Sequence, residues 1–128
     1  MIGYVTIGSN DIARSCAFFD AAFAPLDYKR TFEGGGWAGY GPGGDKESGL
    51  QIYLATPFNG EAASLGNGSM LAFKAPSRAA VEAFYAAALA SGGKDEGAPG
   101  VRGESDPPFY GAYVRDPEGN KFCAYFRG

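Results

Sequence analysis

The residues of this chain that could do chemistry are few, and one absence limits them from the start: there is no histidine among its 128 residues. The commonest metal ligand and the commonest general base are therefore both missing. Cys123 is a candidate nucleophile, but no imidazole exists to activate it and its strand neighbours are apolar or aromatic, so an inert thiol is the plainer reading. Glu33, Glu104 and Asp106 are candidate general bases, since a carboxylate held in a closed apolar cleft has its pKa raised toward neutrality; the competing reading is a solvated loop carboxylate. Arg30 and Arg102 carry the planar fork that binds anions, against the ordinary role of a surface arginine. The glycine runs Gly34–Gly36 and Gly41–Gly44 are not phosphate loops. Neither is followed by Lys-Ser/Thr opening a helix, and both fall between predicted strands, as hairpin turns or a flexible rim.

These residues are positioned by a chain built largely of strands and turns. Its end, FYGAYVRDPEGNKFCAYF (109–126), reads as a hairpin. Tyr110–Val114 and Lys121–Phe126 are apolar and aromatic runs flanking Asp116-Pro117-Glu118-Gly119, which has turn formers at its first, second and fourth positions. The hairpin offers Tyr110, Tyr113, Cys123 and Tyr125 to a sheet surface. Before it, residues 2–8 alternate as a strand, and Asn10 or Asp11 caps a helix running to about Ala22 with Ile12, Cys16, Phe19 and Phe23 at helical spacing. Strands follow at 27–32, 37–40 and 50–55. After a polar linker (56–68), Ser69–Phe73 forms a strand and Ser77 caps a helix ending at Gly92-Gly93. Gly93–Pro108 reads as mostly loop with a short strand near Val101, and as a candidate lid.

The order β-α-β-β-β thus occurs twice. Sliding the chain by 66 aligns Ala13 with Ala79, Phe18 with Phe84 and Tyr4 with Met70; sliding it by 72 aligns Gln51 with Cys123 and Tyr53 with Tyr125. The expected fold is a single α+β domain, 1–128, of two paired βαβββ modules (about 1–56 and 68–128). Their twisted mixed sheets curl into a U around a cleft.

Composition fits one globular domain: 45% of residues are hydrophobic and 20% charged. The net charge of -3, with no basic cluster in sequence, argues against nucleic acid and anionic membranes as partners. No apolar run approaches the roughly 20 residues of a spanning helix. The N-terminus lacks a basic segment followed by an apolar one, so the expected location is cytoplasmic, with Cys16 and Cys123 reduced and buried.

Three segments, YVTIGSNDIARSCAFFDAAFAPL, MLAFKAPSRAAVEAFYAAALASGG and YGAYVRDPEGNKFCAYF, resemble the vicinal oxygen chelate superfamily. That superfamily includes glyoxalase I, extradiol dioxygenases, and fosfomycin- and bleomycin-resistance proteins. The resemblance covers essentially the whole chain and is nearest to small, single-domain, lactoylglutathione-lyase-like members. It implies four metal-ligand positions, one on the first and last strand of each module. Carried over, they are Tyr4, Gln51 or its neighbour Tyr53, Met70 and Cys123, where relatives usually present His and Glu. These residues are poor ligands for Zn, Ni, Mg or Fe(II), and a 2-His-1-carboxylate site is impossible without histidine. No cofactor is therefore expected, a divalent metal being the alternative.

The resulting expectation is a small-molecule-binding protein of the glyoxalase/bleomycin-resistance type without a conventional metal site. Its pocket is lined by Tyr4, Gln51, Met70 and Cys123, with Trp37, Tyr53, Tyr110, Tyr125 and Asp106 as further candidates. The alternative is a lyase, isomerase or dioxygenase-like enzyme working through unusual ligands or carboxylates. The resemblance also implies a homodimer.

Overall fold

In the computed structural model, which describes all residues Met1–Gly128, each helix begins at the cap expected of it. Asp11 accepts a hydrogen bond from the Arg14 amide and opens α1 (Ile12–Ala22). Ser77 accepts from the Ala80 amide and opens α2 (Arg78–Ala90). The strands are β1 (Tyr4–Gly8), β2 (Tyr28–Gly34), β3 (Trp37–Pro42), β4 (Gln51–Ala55), β5 (Leu71–Lys74), β6 (Lys94–Arg102), β7 (Phe109–Arg115) and β8 (Lys121–Arg127). They form two four-stranded mixed sheets, ordered β1-β4-β3-β2 and β5-β8-β7-β6. β1 runs parallel to β4 and β5 to β8, while the other neighbours are antiparallel. The fold is the α+β pair of βαβββ modules read from the sequence, its sheets curled but not closed.

One core serves both modules. Phe19 lies 5.5 Å from the Tyr40 ring of the first module and 5.3 Å from the Phe122 ring of the second. Phe23 meets Phe73 at 4.7 Å, Phe84 at 5.7 Å and Phe122 at 5.4 Å. Tyr28 on β2 reaches Phe73 on β5 at 5.2 Å. Each sheet therefore turns one face to the helices and the common core, and the two-residue period sends alternate side chains outward. The closing turn adds a polar link between modules, because Glu118 forms a 2.6 Å ion pair with Arg14 on α1 and accepts the Asn10 amide.

The Asp116-Pro117-Glu118-Gly119 turn has the predicted construction. Asp116 Oδ1 accepts the amides of Glu118 (3.0 Å) and Asn120 (2.8 Å), and the Gly119 amide returns to the Asp116 carbonyl at 2.9 Å. Gly119 has φ of 92°, which favours glycine.

Three expectations are revised. The segment expected to be mostly loop, Gly93–Pro108, holds the nine-residue strand β6. Its register with β7 shifts between Asp95 and Gly97 and again between Gly97 and Gly100, so bulges disguise its alternation in the sequence. Only residues 103–108 remain as loop, too short for the lid expected there.

Second, Tyr110 does not share a surface with Tyr113. Three residues apart on one strand, they face opposite sides, and Tyr110 belongs to the core, donating to Glu82 Oε2 at 2.6 Å.

Third, the offset of 66 is two residues short for the first strands of the modules. The ladder pairs Tyr4 with Gln51 but Ala72, not Met70, with Cys123. Tyr4 precedes its helix cap by seven residues and Ala72 precedes its own by five, so the second module has the shorter strand-to-helix connection. A slip of two preserves the face, and the alignment therefore still placed these side chains on the right side of each sheet.

Candidate functional site

The outward face of the first sheet is an aromatic platform. Tyr4 and Tyr53 stack at 4.5 Å, Phe32 meets Tyr53 edge-on at 5.5 Å, and Trp37 meets it edge-on at 6.3 Å. A side chain at Gly39 would obstruct this arrangement, since a Cβ there would lie 2.2 Å from the Phe32 ring. Tyr4 is 57% exposed and Trp37 42%, so the platform is open rather than filled core.

Gln51 stands at the edge of this platform and does something else. Its Nε2 donates to the backbone carbonyls of Asp45 (3.0 Å) and Ser48 (2.9 Å), fastening the β3–β4 loop to the sheet. Its Oε1 is buried without a partner, beside the space that Gly41 leaves by having no Cβ.

On the second sheet, Phe109, Tyr113, Cys123, Tyr125 and the cations Arg102, Lys121 and Arg127 share the outward face by register. Phe109 and Tyr125 stack at 5.1 Å, with the Arg127 guanidinium 5.3 Å from the first ring and 6.0 Å from the second. Arg102 and Lys121 lie 5.5 and 5.6 Å from the centre of the Tyr113 ring.

Cys123 is 1% exposed. Burial pushes its thiol pKa up, outweighing the lowering by the Tyr113 hydroxyl, Arg102 and Lys121. A raised folded pKa means the neutral thiol's contribution to stability is complete below the unfolded value of about 8.5 and is lost as pH climbs through the folded one. Cys16 is buried as well, and both thiols are free. Native protein at pH 8 is therefore expected to leave Ellman's reagent almost unreacted, with two thiols appearing only after guanidinium is added. Rapid titration of one thiol in the folded state would show Cys123 to be an activated nucleophile instead.

The remaining predicted residues are dispersed. Met70 lies just before β5, 43% exposed, on the wall of a cleft of about 550 Å³ between β1, the linker and the start of β8. Asp106 and Glu104 are exposed in the 103–108 loop. Glu33 and Arg30 form an ion pair at 3.4 Å, and Arg30 also binds Asp20 on α1, so neither is free for a ligand. Because both inward faces meet in one core, the Tyr4–Tyr53–Trp37 group and the Cys123–Tyr125 group point away from it and do not share a face.

No three His, Cys, Asp or Glu residues cluster. The Gln51 amide is fixed to a loop with its oxygen buried, Cys123 resists ionisation, and Tyr4 and Met70 offer a phenol and a thioether. These four positions do not fit a divalent metal.

Sequence reasoning missed Phe32, Phe109, Lys121 and Arg127 as members of the outward faces. The signal was present for the last two: Lys121, Cys123, Tyr125 and Arg127 alternate along one strand. Phe32 could not be found that way, because β2 shifts register between Arg30 and Phe32.

No helix is long and apolar enough to cross a membrane. A model of the Glyoxalase/Bleomycin resistance protein/Dioxygenase superfamily matches residues 1–124. Among solved structures, a glyoxalase/bleomycin resistance protein from Albidiferax ferrireducens is 37% identical, with a TM-score of 0.88 and 99% of each chain covered. A glyoxalase-related enzyme from Fulvimarina pelagi is 18% identical, with a TM-score of 0.76, covering 98% of this chain and 87% of that one. A glyoxalase/bleomycin resistance protein/dioxygenase family enzyme from Burkholderia phytofirmans is 21% identical, with a TM-score of 0.73 and 98% of each chain covered. Functionally curated proteins gave no match.

Proposed function

We propose, from the premise that this chain belongs to the Glyoxalase/Bleomycin resistance protein/Dioxygenase superfamily, that it is a small-molecule-binding protein working without metal at the family's ligand positions. The observation that carries this reading is the contrast at Gln51 and its neighbours. The residue at a ligand position fastens a loop, while Tyr4, Phe32, Trp37 and Tyr53 beside it form an open aromatic platform.

A cleft needs two walls. Within one chain the outward faces of the two sheets point away from the shared core, so a second copy would supply the missing wall. The first sheet of one copy would then face the second sheet of the other, and the site belongs to a homodimer. The 57% exposure of Tyr4 supports this reading, because a large aromatic surface left open gains from being covered. Two buried free thiols suit a reducing cytoplasm. Turnover of the lyase, isomerase or dioxygenase type would need an acid–base group in the cleft, and the carboxylates singled out for that role lie in an ion pair or an exposed loop.

Trp37 is the single tryptophan and stands on the platform, so its emission reports occupancy. Titration with uncharged 2-naphthol is expected to quench Trp37, unchanged by EDTA, in a species that sedimentation equilibrium finds to be a dimer. Stoichiometric uptake of Zn, Ni, Mn or Fe(II), with binding dependent on it, would overturn the metal-free reading; a monomer that binds fully would overturn the shared cleft.

A further inference from the structure

The outward face of the second sheet is cationic in a chain whose net charge is -3. By register it carries Lys74, Lys94, Arg102, Arg115, Lys121 and Arg127, six of the eleven Lys and Arg residues. Only Arg115 has a carboxylate partner, Glu96 at 2.5 Å. The others form no ion pair, and the central ones lie against aromatic rings.

The placement has an order. Arg102 and Lys121 both approach the Tyr113 ring, within 5.6 Å of its centre. Beyond them the strands carry small residues, with Ala72 beside Cys123 and Gly111 opposite Tyr125, and the Phe109 ring lies over Gly111. The stacked Phe109–Tyr125 pair closes the far end. Side chains at the glycines would spoil this surface, since a Cβ on Gly111 would lie 2.8 Å from Phe109 and one on Gly97 would lie 3.0 Å from Tyr113 and 3.1 Å from Arg102.

Glu96 pairs with Arg115 and lies near Lys121, one carboxylate among six cations; the remaining like charges repel, and covering them with apolar surface makes this worse. Register places no Asp or Glu on the outward face of the first sheet, so the strands of a second copy would bring no carboxylate against them. The missing partner is therefore negative and small enough to share the cleft.

We infer that this face recognises a flat aromatic molecule carrying an anionic group, carboxylate or phosphate. The anion meets Arg102 and Lys121, and the ring system lies against the stacked Phe109–Tyr125 pair. This rests on the small-molecule reading above and names the ligand class for that cleft.

The test compares naphthalenes that differ only in charge, by isothermal titration calorimetry: 2-naphthoate, 2-naphthyl phosphate, 2-naphthol and 2-naphthylmethylammonium. The anions are expected to bind roughly tenfold more tightly than 2-naphthol, and the ammonium more weakly than either. The preference should shrink with added salt and with Lys121→Gln, and approach unity in Arg102→Gln/Lys121→Gln, with folding of both variants checked by circular dichroism. The tighter of the two anions identifies the group recognised. Equal binding of anions and 2-naphthol, or a preference that survives both variants, overturns the inference and leaves the cleft reading standing. Failure of every probe to bind overturns both.

Discussion

Phe23→Ala is expected to lower the free energy of unfolding by about 3–5 kcal/mol, the cost of removing a buried aromatic ring that its surroundings cannot replace. Phe23 is 1% exposed and touches rings from both modules: Phe18 and Phe19 from the first, Phe73, Phe84 and Phe122 from the second. The cavity would open between the modules, where neither can collapse inward without losing its packing on the other. Domains of this size have net stabilities of about 5–15 kcal/mol, so the variant would sit near the edge of folding. Phe23→Leu, which keeps most of the volume, should lose less. Urea unfolding followed by far-ultraviolet circular dichroism and by Trp37 emission checks this. Both signals are expected to move together to a lower midpoint, because one core serves both modules. Separate transitions would show that the modules are independent and the shared core is not what holds them.

Gly41→Ala is expected to be the most damaging of the small substitutions on the outward faces. A Cβ at this position would lie 2.4 Å from the Asp45 carbonyl oxygen and 2.5 Å from Gln51 Oε1. The first obstruction is backbone, held there by the hydrogen bond from Gln51 that fastens the loop. Overpacking of this kind costs about 1–3 kcal/mol. Displacing Gln51 adds about 1 kcal/mol for each hydrogen bond lost. Gly39→Ala is the informative contrast. Its obstructions are side chains, the edge of the Phe32 ring at 2.2 Å and Thr31 Oγ1 at 2.9 Å, and a side chain can swing aside where a fastened carbonyl cannot. Gly41→Ala should therefore lower the thermal midpoint by several degrees and expose residues 43–50 to proteolysis. Gly39→Ala should leave stability closer to wild type while disturbing the aromatic platform and its quenching by 2-naphthol. Equal midpoints for wild type and Gly41→Ala would mean that the loop is not held as described.

Much of this molecule was legible in its sequence because the signals were local. The Asp11 and Ser77 caps, the Asp116–Gly119 turn and the helical spacing of Phe19 and Phe23 each depend on residues within a few positions of one another. Local hydrogen bonding and side-chain period decide them. The lack of histidine ruled out an imidazole ligand at the family's ligand positions before any geometry was known. Parity along β8 would also have put Lys121 and Arg127 on the face of Cys123, had the alternation been followed to the end of the strand.

What the tertiary structure alone decided was partnership across distance. Gln51 became a loop fastener because the carbonyls of Asp45 and Ser48 fold back onto it, and Tyr110 was taken into the core by Glu82 on a helix 28 residues earlier. β6 exists because β7 pairs with it through two register shifts that erase its alternation. The cationic face is assembled from strands whose Lys and Arg residues are scattered along the chain, so no basic cluster appears in one dimension. A linear sequence records which groups are present and how nearby ones are spaced. Which distant groups meet, and which stay unpaired, depends on the register and packing of strands that only the folded chain brings together.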